Sequence, residues 1–217
     1  MNFRIPVRPA EAETIVRGSR FRAWIGRADD AQEADGALAR RAAAGKDATH
    51  HCWAYRVWRE GRIEEAGFDA GEPGGTAGRP ILGSLQAEGL VQAVCVVSRW
   101  FGGVKLGTGG LVRAYASAAR AAIEAARDAG AVLDARQEAA FDVRFPYALS
   151  GAIQRVVSRF AASSAGSDYG EVVELELRVA ADRADAFERA LADGTAGAID
   201  LRRGTVRWEP VPPRTAR

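Results

Sequence analysis

Residues 91–115 read VQAVCVVSRWFGGVKLGTGGLVRAY, and this stretch decides the fold of the first half of the chain. Its opening run, VQAVCVVS, is almost entirely apolar and predicts a strand that is buried on both faces. A glycine-rich loop follows directly, and the apolar spacing after Thr108 predicts a helix that continues to about Ala129. Thr108 is a favourable N-cap residue for that helix. The stretch therefore predicts a buried strand, a loop and a helix start in immediate succession.

The loop has the composition of an anion-binding site. Glycines let backbone amides approach a ligand closely, and the first amides of a helix have no intrahelical acceptor. The helix dipole and Lys105 add positive charge, so a phosphate or a carboxylate would fit there. The alternative is that the glycines only make tight turns and close strand–helix packing, with Lys105 solvated. The candidate binding residues of this loop are Gly102, Gly103, Lys105, Gly107, Thr108, Gly109 and Gly110.

A second glycine-rich stretch, GEPGGTAGRP at residues 71–80, also leads into a predicted helix start, near Pro80. Two such loops in one domain could converge on one anion. The sequence is not a Walker A motif, because no Gly-Lys-Ser/Thr follows a four-residue gap. The candidate residues in this part of the chain are Lys46, Glu72, Gly75, Thr76 and Arg79.

The positive charge of the chain is concentrated around the first loop. The net charge of +2 is too small to identify a nucleic-acid-binding protein by itself. From Gly89 to Ile123, however, the chain contains no Asp or Glu. The cations of this acid-free stretch are Arg99, Lys105, Arg113 and Arg120, and we treat them as candidate contacts for an anion or a nucleic acid.

Metal binding and nucleophilic catalysis find little support in the sequence. His50, His51 and Cys52 are adjacent, and Cys95 could join them from a neighbouring strand. Residues His50 and Cys52 would share one face of a strand while His51 points away, and no CxxC or HxxxH spacing is present. We therefore expect no metal and no cofactor, assign no catalytic residue, and favour a binding protein over an enzyme.

Composition places the chain among globular proteins, with 47% hydrophobic residues. No segment approaches the roughly 18 apolar residues of a membrane span. The amino-terminal sequence lacks the apolar run of a secretory signal. Its two cysteines do not form a disulfide framework. We expect a cytoplasmic protein with no membrane partner.

The periodicity of the remaining chain predicts two α+β domains, residues 1–135 and residues 136–217. In the first, we expect a strand at Ser19–Ala28, a helix at residues 30–44, and a hairpin of His50–Trp58 with Arg62–Ala66. In the second, the pattern from Glu138 to Trp208 is approximately β-α-β-β-α-β, with a weak second strand near residues 163–168 and a turn at Asp168–Gly170. This is the ferredoxin-like pattern.

Three blocks of the sequence resemble the IMPACT/YigZ family. They are KDATHHCWAYR (46–56), GEPGGTAGRPIL (71–82) and SRWFGGVKLGTGGLVRAY (98–115). The resemblance covers about residues 17–128, and residues 138–208 look like the companion carboxy-terminal domain of bacterial members. Position 74 is Gly where the family pattern usually has Ser.

The resemblance implies both a fold and a role. The first domain is expected to be like domain 2 of ribosomal protein S5 and domain IV of elongation factor G, and the second to be ferredoxin-like, as in domain V of that factor. It implies a non-enzymatic protein of translational regulation that binds RNA or a ribosomal surface through the first domain. Two alternatives are an enzyme or binding protein for a small phosphorylated molecule, using the same loops, and a protein-interaction module.

Overall fold

The computed structural model of the chain describes residues 3–59 and 61–211. The chain divides into two compact units, one of residues 3–135 with residues 210 and 211, and one of residues 136–209. None of the described helices is long and apolar enough to cross a membrane.

Within its described residues, the first unit contains a five-stranded antiparallel sheet and three helices. Its sheet has the order β2-β3-β6-β4-β5, and β1 lies outside it. The strands are β1 (Phe3–Pro6), β2 (Ala10–Val16), β3 (Ser19–Arg27), β4 (His50–Arg59), β5 (Arg62–Phe68) and β6 (Ala93–Trp100). The helices are α1 (Ala31–Ala44), α2 (Gly78–Ala87) and α3 (Gly107–Asp128).

The central strand β6 is buried on both faces, which confirms the prediction from its apolar run. Cys95 and Val97 belong to the core cluster that includes residues of α2 and α3. Val94 and Val96 belong to a second cluster, with residues of α1, on the other face of the sheet. The sheet therefore lies between two helical layers, and the carboxyl end of β6 leads into the loop before α3.

The helix ends follow the sequence signals in one case and depart from them in another. The predicted helix at residues 30–44 is α1, in which Asp30 is the N-cap and accepts a hydrogen bond from the Glu33 amide at 2.8 Å, and Gly45 is the C-cap. The prediction of Thr108 as the N-cap of α3 is wrong, because the helix begins at Gly107 and Leu106 occupies the cap position. A left-handed glycine, Gly107 at φ +70°, makes the turn and places Thr108 inside the first helical turn.

The second unit has the predicted β-α-β-β-α-β order, and its strands form a sheet in the order β10-β7-β9-β8. Its weakest predicted strand, β8, is present, but it continues to Tyr169 where we expected a turn. One core cluster contains residues of β7, β9 and both helices. The elements are β7 (Val132–Phe145), α4 (Ser150–Phe160), β8 (Ser163–Tyr169), β9 (Val173–Ala180), α5 (Ala184–Gly194) and β10 (Asp200–Pro210).

Two strands precede the first strand predicted from the sequence. β2 pairs with β3 in a hairpin, and its exposed positions are Glu11, Glu13 and Ile15. β1 pairs antiparallel with the first four residues of β7, between Val132 and Ala135. β2 begins with Ala-Glu-Ala-Glu, and both residue types are depleted in strands, whereas its last three residues, Thr-Ile-Val, favour a strand.

Candidate ligand-binding site

A cavity of about 370 Å³ lies beside the amino end of α3 in the first unit. It is bounded by the end of β6, the start of β4, the loop after β5 and the first turn of α3. The two glycine-rich loops meet here. The cavity is lined by Thr49, His50, Glu72, Pro73, Arg99, Phe101, Lys105, Leu106, Gly107, Thr108 and Leu111.

A buried ion pair is part of the cavity lining. Arg99 Nη1 lies 2.6 Å from Glu72 Oε1, and the two side chains are only 7% and 4% exposed. The Tyr115 hydroxyl donates to the same carboxylate oxygen at 2.7 Å. Among the described residues, Arg99 Nε has no hydrogen-bond partner although it is buried. Burying a pair of opposite charges costs less free energy than burying one unpaired charge, and the Tyr115 hydroxyl gives the carboxylate a second hydrogen-bond donor.

The groups behind this ion pair remain protonated at neutral pH. The Cys52 thiol donates its proton to the Asp69 carbonyl at 2.9 Å, and its Sγ lies 3.3 Å from the Tyr115 hydroxyl oxygen. Burial raises the pKa of Cys52 to about 12, and burial also raises the pKa of Tyr115 well above its ordinary value. A neutral thiol is a poor nucleophile, so Cys52 is part of a structural hydrogen-bond network.

The cavity entrance is positively charged. The first amides of a helix have no intrahelical acceptor, and Leu106 at the cap position of α3 gives them no side-chain acceptor. Gly107 and Thr108 of this turn line the cavity together with Lys105, which is exposed. The helix dipole adds to the charge of the lysine, so an anion is favoured at this position.

The two histidines lie on opposite faces of β4, as the sequence predicted. His50 Nδ1 lies 2.9 Å from the carbonyl oxygen of Ala70, and since a carbonyl only accepts, Nδ1 carries the proton when the ring is neutral. Its Nε2 is then an acceptor. His51 contacts Ser98 Oγ at 2.8 Å on the other face, and burial lowers its pKa. Within the described ranges, no three His, Cys, Asp or Glu side chains form a metal-binding group.

The second glycine-rich loop binds a carboxylate of the chain itself. Asp69 accepts from the amides of Gly75, Ala77 and Gly78 at 2.7 to 2.9 Å. Partial burial opposes the ionisation of Asp69, but the three amide bonds outweigh it and hold the pKa of this carboxyl below its ordinary value. The expectation that this loop supplies amides to an external anion is therefore wrong for these three groups. The sequence reasoning missed Asp69, although an aspartate just before a turn often accepts from backbone amides.

The other candidates from that part of the chain do not line the cavity, with the exception of Glu72. Thr76 is buried and its hydroxyl donates to the Pro73 carbonyl at 2.6 Å, so it stabilises the loop. Lys46 and Arg79 are exposed outside the cavity.

The glycines of the first loop divide into structural and cavity positions. Gly102 has a structural role, because a Cβ atom there would lie only 1.9 Å from the backbone of Gly18. Gly107 lines the cavity. Gly103, Gly109 and Gly110 belong to the loop and the first helical turn but do not line the cavity. The structural alternative therefore accounts for Gly102.

Three of the four predicted cations are exposed. Lys105 lies in the loop, and Arg113 and Arg120 lie on one face of α3, about 10.5 Å apart along the helix axis. In the part of the chain that the structure describes, none of these three forms an ion pair within 4 Å. Arg99, the fourth, is buried against Glu72 and lies in the cavity instead of on the exposed surface.

Comparison with known proteins agrees with the two-unit division of the chain. Residues 17–123 match the model of the Impact N-terminal domain, and residues 143–198 match a domain of unknown function (DUF1949). A solved crystal structure, described only as that of a hypothetical protein, is similar with a TM-score of 0.63 and 27% identity, covering 92% of this chain and 96% of its own.

Curated relatives extend over most of the chain. The IMPACT family member YvyE of Bacillus subtilis is 31% identical, covering 91% of this chain and 89% of its own length. The IMPACT family member YigZ of Escherichia coli is 29% identical, with 91% and 95% covered. An IMPACT family member of Thermus thermophilus is 45% identical over 132 residues. With both domain matches in chain order, and with the Bacillus subtilis and Escherichia coli relatives covered over 89% and 95% of their lengths, the chain belongs to the IMPACT family.

Proposed function

We propose that the protein binds the phosphate groups of RNA, free or on a ribosomal surface, through the loop before α3 and the exposed face of that helix. We call Lys105, Arg113 and Arg120 the cationic face. The observation that carries the proposal is that these three side chains are exposed and without ion pairs among the described residues, and that Lys105 lies beside the first turn of α3, where the N-cap residue supplies no side-chain acceptor.

Electrostatics favours a polyanion over a single anion on this face. Each Lys or Arg that neutralises a phosphate releases condensed counterions, so several such contacts add to the affinity. Arg113 and Arg120 lie outside the cavity, and a ligand confined to the cavity would leave both unused. A strand of RNA would contact all three cations.

The architecture and the chemistry support a translation-linked, non-enzymatic role. We assign the second unit to the ferredoxin-like fold from its strand order β10-β7-β9-β8, and the first to the fold of ribosomal protein S5 domain 2. Both folds occur in elongation factor G, which acts on the ribosome in the cytoplasm. The protonated thiol and phenol behind the cavity offer no activated nucleophile.

The salt dependence of RNA binding tests the proposal. We expect Arg113→Ala and Arg120→Ala each to lower the slope of log affinity against log salt by roughly one unit, equally for RNAs of different sequence. Arg40→Ala is the matched control, because Arg40 is also exposed on a helix but belongs to α1, on the other side of the sheet. Absence of measurable binding at low salt, or equal slopes for all three variants, contradicts the proposal.

The cavity itself favours a second candidate, a small phosphorylated molecule. Its volume of about 370 Å³ is that of a small-molecule site, and its entrance is positively charged. A ligand that binds only the native state raises its melting temperature. This candidate would be favoured if the protein does not bind RNA and a screen at low salt finds a phosphorylated metabolite that raises its melting temperature.

A further inference from the structure

We infer that the cavity beside α3 accommodates a single nucleoside monophosphate unit, with its phosphate at the α3 amides and Lys105 and its base directed towards Glu72 and Arg99. The unit is either an unstacked nucleotide of an RNA strand or a free nucleotide. This inference rests on the proposed phosphate-binding role of the α3 amino end.

The two ends of the cavity differ in charge. At the entrance, Lys105 and the first turn of α3 are positive and have no carboxylate partner among the described residues. At the inner end, Arg99 is neutralised by Glu72 at 2.6 Å. An anionic group is therefore favoured at the entrance, and an uncharged group that forms hydrogen bonds is favoured at the inner end.

The inner end offers both donors and acceptors. Arg99 and Tyr115 both donate to Glu72 Oε1, which leaves Oε2 as an acceptor on a carboxylate that lines the cavity. Arg99 is only 6% exposed, and its Nε has no partner in the described chain. When its ring is neutral, His50 adds an acceptor at Nε2, since its Nδ1–H donates to the Ala70 carbonyl. A second phosphate would be repelled by the carboxylate, whereas the amino and ring nitrogens of a base match this mixture.

The walls between the two ends are apolar. Phe101, Leu106 and Leu111 line the cavity with Pro73. The Phe101 ring is 49% exposed, and its centroid lies 5.7 Å from the Arg99 guanidinium. A bare phosphate or a sugar phosphate leaves these walls in contact with water, whereas a nucleobase stacks on an exposed aromatic ring. The combination of a cationic entrance, apolar walls and a mixed polar end is that of a nucleotide site.

Calorimetric titration of the full chain with AMP, GMP, CMP and UMP tests the inference, with ribose 5-phosphate and inorganic phosphate as probes that lack a base. We expect at least one nucleotide to bind about tenfold or more tightly than ribose 5-phosphate, the gain typical of one stacked base. Phe101→Ala removes that gain. Val104→Ala is the matched control, because Val104 is equally exposed in the same loop, at 49%, but does not line the cavity.

A short single-stranded RNA separates this inference from the proposed function. Phe101→Ala removes no charge, so it weakens RNA binding about tenfold without changing the salt slope, whereas Arg113→Ala lowers the slope. The inference is wrong if all four nucleotides bind no better than ribose 5-phosphate and Phe101→Ala leaves RNA binding unchanged. The proposed function would still stand in that case if Arg113→Ala lowers the salt slope of RNA binding. If the protein binds a nucleotide, loses that binding in Phe101→Ala and does not bind RNA, the proposed function is wrong and the inferred nucleotide site in the cavity stands.

Discussion

Replacing Glu72 by alanine tests the buried ion pair on which the cavity depends. The substitution leaves the Arg99 guanidinium, 7% exposed, without its counter-charge in a low-dielectric site. Removing one member of such a pair costs about 3–5 kcal/mol, because the remaining charge stays buried. The Tyr115 hydroxyl also loses its acceptor at 2.7 Å, which costs about 1 kcal/mol more. We therefore expect Glu72→Ala to lower the free energy of unfolding by about 4–6 kcal/mol.

Urea denaturation followed by tryptophan fluorescence measures this loss, since Trp24, Trp53, Trp58 and Trp100 all lie in the first unit. Glu72→Gln keeps an acceptor for Tyr115 and loses only the charge, so it should fall between wild type and Glu72→Ala. Glu13→Ala is the control, because Glu13 pairs with Arg22 at the surface, where a pair contributes about 0–1 kcal/mol. Equal losses in the free energy of unfolding for Glu72→Ala and Glu13→Ala would refute the claim that Glu72→Ala leaves the Arg99 charge buried and unpaired.

Three further predictions concern the second loop, the thiols and the first unit. Asp69→Ala should destabilise the protein at neutral pH. Because folding lowers the pKa of Asp69, its contribution to the free energy of unfolding is complete above its unfolded pKa of about 4 and is lost as the pH falls through the lower folded value. Wild type and variant should therefore become equally stable in acid. A constant difference in unfolding free energy down to the lowest pH at which the protein is folded would contradict this. Cys52 and Cys95 are buried with the pKa of each raised to about 12, so iodoacetamide at pH 8 should label them only after unfolding, and rapid labelling of the native chain would be the opposite result. A fragment of residues 1–135 keeps both core clusters of the first unit and the residues that pair with β1, Val132–Ala135, so its thermal melt should be cooperative. A non-cooperative melt would mean that the fragment had lost part of its core.

Elements with a strong local signal could be predicted from the sequence. The apolar run before the first loop predicts β6, and the alanine-rich run of residues 30–44 predicts α1 to within one residue. β2 carries an alternating pattern that ends in Thr-Ile-Val and pairs with the adjacent β3, so its sequence did contain a strand signal that was missed. β1 is only four residues long and pairs with residues more than a hundred positions later. Pairing partners distant in the chain leave no periodic signal.

The candidate site was predictable in position but not in electrostatics. The sequence places Lys105 and the α3 amides together, since they are neighbours in the chain. The absence of acidic residues between Gly89 and Ile123 also suggested that Arg99 was a free cation. Folding brings Glu72 from another loop to within 2.6 Å of it, so a stretch without carboxylates in sequence is not without them in space. In the second loop, folding likewise brings the Asp69 carboxylate to a backbone amide that the sequence left available to an external anion.

The central claim is that the amino end of α3 binds phosphate, and the two lysines of the chain test it most directly. Lys105 lies at the cavity entrance, whereas Lys46 is exposed and does not line the cavity. Binding of a single-stranded RNA is measured over a range of salt concentrations for wild type, Lys105→Ala and Lys46→Ala. The account predicts that Lys105→Ala lowers the slope of log affinity against log salt by roughly one unit and that Lys46→Ala matches wild type. Identical slopes for the three proteins, or no binding by wild type at low salt, would contradict it.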